Sequence, residues 1–208
     1  MEFDLKSTTR IVALLLLLAA ITQAAYTSFY VAIEMGVEVE VPRRLLWGLE
    51  GILFTAMTAF AGSAMIQAGR HHLGWSAIAF ASVLNIVQVG VGLTMFVPFR
   101  EVANSVEATA PAASAVVAFS FMVYNAAKAL LALAAMVFGM AKMSEGKKVL
   151  GGLTVFVGVV ALISNAAVMA MGLDYSTTSG GIFPSGGSGV LATVLLAFCL
   201  MTLGSQDD

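Results

Sequence analysis

Apolar positions along this chain fall in long unbroken runs, without the alternation of a strand or the one-sided period of a surface helix. The runs cover residues 11–33, 45–68, 73–97, 113–140, 149–173 and 189–203. A membrane-crossing helix needs about 20 apolar residues, and five runs reach that length. The sixth is shorter and starts within a Gly/Ser stretch. Only Glu50 interrupts the second run and only Lys128 the fourth, while Pro98 closes the third. Inside a bilayer no water satisfies the backbone, so such runs predict helices. Barrel strands would read as ~10-residue alternating segments and are disfavoured.

Composition points the same way. Of 208 residues, 60% are hydrophobic and 11% charged, with a mean hydropathy of +0.95. Soluble domains carry roughly 25% charged residues. A soluble enzyme, a disordered chain and a nucleic-acid binder are excluded, the last because phosphate binding needs clustered cations. The single cysteine, Cys199, excludes an internal disulfide.

Orientation follows from Lys and Arg near the helix ends. With both termini cytoplasmic, Lys6, Arg10, Arg70, Lys142, Lys147 and Lys148 lie inside, six against the three of Arg43, Arg44 and Arg100 outside. The expected fold is therefore all-α: one transmembrane domain over residues 1–208, six helices in a bundle, N-in and C-in, integral to a membrane (the cell or inner membrane if the source is a prokaryote). A competing reading makes residues 1–24 a signal peptide, which Glu2 and Asp4 weaken.

The inner connections are tight and the outer ones long. Residues 34–44 contain the alternation Val37-Glu38-Val39-Glu40-Val41, read as a short extended piece closed by Pro42; residues 98–112 form a polar, acidic loop. Residues 174–188 are Gly/Ser-rich around Phe183, either a linker or a docking loop. A faint repeat sets Ala81, Asn85, Gly92 and Leu93 against Ala161, Asn165, Gly172 and Leu173, close to what chance gives in such sequence.

Lys128 carries the most information. A charge near mid-bilayer is costly and usually faces the bundle interior. Ser120, Tyr124 and Lys128 follow at i+4 spacing with Asn125 beside them, making a polar stripe on the fourth helix. Four roles compete for the lysine: a packing ion pair or hydrogen bond, a midplane site for an anion or proton, a snorkelling side chain, and a Schiff base. Glu50 is its candidate partner, although Lys128 reads as two to three turns deeper. The third helix supplies Asn85 and Gln88, the fifth Ser164 and Asn165, and the first the stripe Gln23, Tyr26, Thr27, Tyr30 and Glu34. Amides in membrane helices usually bond across to another helix. Their common level suggests an outward-facing polar cavity lined by Lys128, Asn125, Tyr124, Glu50, Asn85, Gln88 and Asn165.

Other features read as plain. Gly48, Gly51, Thr55, Thr58 and Gly62 on the second helix, and Gly151, Gly152, Gly158 and Ala161 on the fifth, read as helix-packing stripes. His71 and His72 sit together in a turn, and no metal site or cofactor is expected. No nucleophile–base arrangement is present, so an enzyme is not expected. The leading expectation is a membrane protein that binds or transports a small solute or ion. The alternative is a non-catalytic accessory subunit of a larger membrane complex. Expected partners are the lipid bilayer, the solute, and further copies or other membrane subunits.

Overall fold

The computed structural model describes residues 3–34, 39–172 and 185–203, without the side chains of 27, 28 and 30–34. Of the expected loop 174–188, residues 174–184 lie outside the described residues, as do Val37 and Glu38 of the extended piece, while 185–188 open the last helix and correct that part of the loop reading. The helices are α1 (Leu5–Glu34), α2 (Glu40–Gln67), α3 (His72–Thr94), α4 (Phe96–Ser105), α5 (Ala110–Ser144), α6 (Lys148–Met171) and α7 (Ser185–Leu203). Among the described residues six segments are long and apolar enough to cross a membrane, α3 and α4 together forming one of them. The fold is an all-helical multi-pass bundle.

The helices run further than the apolar runs, for reasons of capping and proline placement. Asp4 starts α1 by accepting the Ser7 N–H at 2.7 Å, a side-chain cap on an otherwise orphaned donor. Glu40 and Val41 belong to the first turn of α2, which corrects the extended reading of those two residues. Pro42 follows them there, where a missing N–H has no intrahelical acceptor to lose. Pro98 does not end the chain's helical path either. It lacks the N–H that would bond the carbonyl of Thr94, so α3 stops at Thr94 and α4 resumes at Phe96. A 3-10 turn at Glu107–Thr109 leads into α5. The expected loop 98–112 is therefore largely helical.

Neighbouring helices close a ring: α1 packs on α2, α2 on α3, α3 on α5, α5 on α6, α6 on α7 and α7 on α1, with α5 also touching α7 across the ring. Large side chains such as Leu14, Ile52, Ile66, Phe80, Phe156 and Phe198 point outward, as they must where lipid is the solvent. The interior is rich in alanine, including Ala61, Ala81, Ala127, Ala135 and Ala161, around Phe54, Phe138 and Leu196.

Close approach is concentrated in the α5–α6 seam. A methyl on Gly151 would lie 2.5 Å from the Gly139 carbonyl oxygen, and one on Gly158 would lie 3.0 Å from that of Ala132. This is the small-residue packing that membrane helices use. The α2 stripe differs from expectation. Methyls on Gly48 or Gly62 would meet nothing within 4 Å, whereas one on Gly51 would touch Val89 of α3 at 3.4 Å, so of these three glycines only Gly51 makes a close helix contact.

Candidate functional site

Helical spacing brings the polar residues to one level. Gly51 meets Val89, and Gly92 meets Trp47, so α2 and α3 run antiparallel with Glu50 beside the second half of α3. Gly74 meets Phe138 near the far end, and Gln88 shares a cavity with Ser120 and Tyr124. That register places Asn85 level with Lys128. Gly158 against Ala132 likewise sets Ser164 and Asn165 at this level, and the start of α7 joins them, since Gly189 packs on the aliphatic stem of Lys128. Because α2 begins at Glu40, Glu50 lies roughly 15 Å along its helix, deeper than the sequence reading placed it.

The two ionisable groups are both held by α1. Lys128 is fully buried and donates from Nζ to the side-chain oxygen Oε1 of Gln23. Its ammonium also lies 5.4 Å from the ring centre of Tyr124, within cation–π range. Glu50 is 3% exposed and accepts the hydroxyl of Thr22 at 2.9 Å. Thr22 and Gln23 are consecutive, so adjacent side chains of α1 hold the carboxylate and the ammonium. Among the described residues no Glu50–Lys128 ion pair closes within 4.0 Å, although the two charges interact at longer range. The snorkelling and direct-pair readings of Lys128 therefore give way to a lysine held inside the protein by an amide.

Glu50 opens onto a chamber of about 170 Å³ lined by Gln23, Tyr26, Trp47, Gln88, Phe96, Ser120, Phe121, Tyr124 and Gly186 as well as the carboxylate. Trp47 stacks on Tyr26 at 5.2 Å and meets Phe96 edge-on at 5.5 Å. Beyond lies a wider vestibule of about 510 Å³ whose wall includes Arg43, Arg100 and Ser114. Tyr26, Phe96 and Phe121 line both spaces, so three aromatic residues stand between them. Glu40 holds the vestibule arginines, ion-pairing with Arg43 and lying 3.7 Å from Arg100. The Arg43 guanidinium also sits 5.2 Å from the Trp47 ring centre.

Of the seven residues expected to line a cavity, Glu50, Gln88 and Tyr124 do so. Lys128 stands behind Gln23, away from the chamber wall. Asn85, Asn125 and Asn165 share the level but do not line the space. Each turns its amide N–H back to the carbonyl four residues earlier, on Ala81, Phe121 and Ala161 respectively. This corrects the expectation of bonds to another helix for Asn85 and Asn125; Asn165 alone adds one, to the Ser185 carbonyl at 3.3 Å. The three Oδ1 atoms are buried without a hydrogen-bond partner among the described residues. Sequence reasoning omitted Thr22, Trp47, Phe96 and Phe121. It placed Gln23 on a polar stripe, but no spacing rule links it to a lysine 105 residues away.

The opposite end of the bundle carries a second cavity, of about 600 Å³, whose wall includes Lys6, Arg70, His71, Trp75 and Phe138. Burial, with the nearby Arg70 charge, holds the His71 imidazole below its ordinary 6.5, partly opposed by Glu145. Comparison of the chain with family models, curated proteins and solved structures finds no match.

Proposed function

We propose that this chain is a non-enzymatic membrane protein that binds a small solute or ion in the chamber at Glu50 and carries or conducts it across the bilayer. In this reading both termini are cytoplasmic, and the vestibule with Arg43 and Arg100 opens outward, as the positive-inside count directs. One observation carries it: a buried carboxylate, hydrogen-bonded to Thr22, lines a small chamber that adjoins a wider vestibule. Ionisable residues inside membrane bundles are rare and costly, and they recur along substrate and ion paths, while transporter sites lie near mid-bilayer.

The accessory-subunit reading draws on a different observation, the outward face formed by Gly48, Thr55 and Gly90 between α2 and α3. Purification in mild detergent separates the two. The solute-binding reading expects a chain that travels alone or with its own copies. Obligate co-purification with other subunits would overturn it.

A further inference from the structure

We infer that the ligand of the Glu50 chamber is a small protonated amine with a short apolar body, about the size of a pentylammonium ion. The inference rests on the solute-binding reading above and names its chemical class.

Charge decides the sign of the ligand. Among the described residues that line the chamber, Glu50 is the only Asp, Glu, Lys, Arg or His. Lys128 lies behind Gln23 and spends its ammonium on that amide and on the Tyr124 ring. Arg43 borders the vestibule, where it pairs with Glu40 and covers Trp47. An anion entering the chamber would therefore meet a carboxylate first. A cation with N–H donors would meet Glu50, whose Oε1 takes one hydroxyl and whose Oε2 makes no hydrogen bond among the described residues. An ammonium N–H pointing at that oxygen would form the stronger, charge-assisted kind of bond.

The walls decide what kind of cation. A bare metal cation asks for about six oxygen ligands, whereas this wall is mainly the rings of Tyr26, Trp47, Phe96, Phe121 and Tyr124. A hexose, with about twice the heavy atoms of benzene, exceeds a chamber of about 170 Å³. A hydrocarbon body suits the rings. The volume of about 170 Å³ compares with an engineered cavity of roughly 150 Å³ that takes benzene, so a ligand of about six heavy atoms fits.

The test titrates the full-length chain in detergent with n-pentylammonium, n-pentanol and pentanoate by calorimetry. The amine is expected to saturate and to bind at least tenfold tighter than the alcohol, with pentanoate weakest. Glu50→Gln keeps the Thr22 bond and removes the charge, and it is expected to abolish that tenfold preference. Ser120→Leu fills the chamber without touching Glu50 and is expected to abolish binding altogether, so the claim stands or falls even if the Glu50 variant does not fold. Binding of pentanol or pentanoate as tight as that of the amine would overturn the amine class while leaving a solute chamber in place. Saturation by none of the three in the native chain would overturn both the amine class and the solute-binding reading.

Discussion

Lys128 and Gln23 meet across the middle of the ring. Their helices, α5 and α1, are not among the closely packed pairs, yet the lysine ammonium donates to the glutamine side-chain oxygen. A buried ammonium without a partner is costly, and hydrogen bonds to charged groups contribute about 1.5–3 kcal/mol. A double-mutant cycle of Lys128→Met with Gln23→Leu is therefore expected to show a coupling of about that size, measured by unfolding of the purified chain in detergent. The same cycle with Glu50→Gln in place of Gln23→Leu should give less than about half of it, because no direct ion pair is formed. A larger coupling to Glu50 would contradict the described arrangement.

The α5–α6 seam makes a sharper packing prediction than the α2 stripe. Gly151→Ala drives a methyl against the Gly139 backbone at 2.5 Å and should destabilise the bundle by about 1–3 kcal/mol, as overpacking does. Gly48→Ala meets nothing and should be neutral or stabilising by up to about 1 kcal/mol through helix propensity. Thermal unfolding of the two variants side by side checks both signs.

His71 gives stability a pH dependence at the other end of the bundle. It occupies the left-handed region, φ 63°, immediately before α3, with its ring 5.7 Å from that of Phe138. Its imidazole is held below 6.5 by burial and by Arg70, so the unfolded chain takes up this proton more readily than the folded one. Stability attributable to His71 is complete above 6.5 and falls as pH drops through 6.5 toward the lower folded value. His71→Asn tolerates the same backbone and does not titrate. It is expected to flatten the slope of melting temperature against pH between about 5 and 7.5; an unchanged slope would contradict the assignment.

The six apolar helices were legible because lipid demands long apolar runs, and an interior Lys128 was the favoured but not the sole reading, since a snorkelling side chain fits the same spacing. Helix ends were not, since Asp4, Pro42 and Pro98 act through backbone hydrogen bonds that hydropathy does not register. Lys142 shows the same limit. Counted from sequence as a loop cation, it lies on α5 with a fully buried side chain, ion-paired to Glu145 at 2.5 Å. The site was half legible. Polar residues at one level could be read from spacing, but which of them face a common space depends on helix neighbours that no periodicity encodes. The asparagines are the clearest case. Asn85 and Asn165 close the same bond to an alanine carbonyl four residues back, in keeping with the faint repeat, yet Asn125 does likewise outside it. The bond reflects a buried helical asparagine and argues nothing for duplication.

The most direct measurement is the reaction rate of a thiol placed in the chamber wall. In a Cys199→Ala background, Ser120→Cys lines the chamber, whereas Val123→Cys is buried on the same helix away from it. With aminoethyl methanethiosulfonate supplied in water to the reconstituted chain, the thiol at position 120 should be modified at least tenfold faster than the one at 123. Equal, slow modification at both positions would mean that no solvated path reaches Glu50.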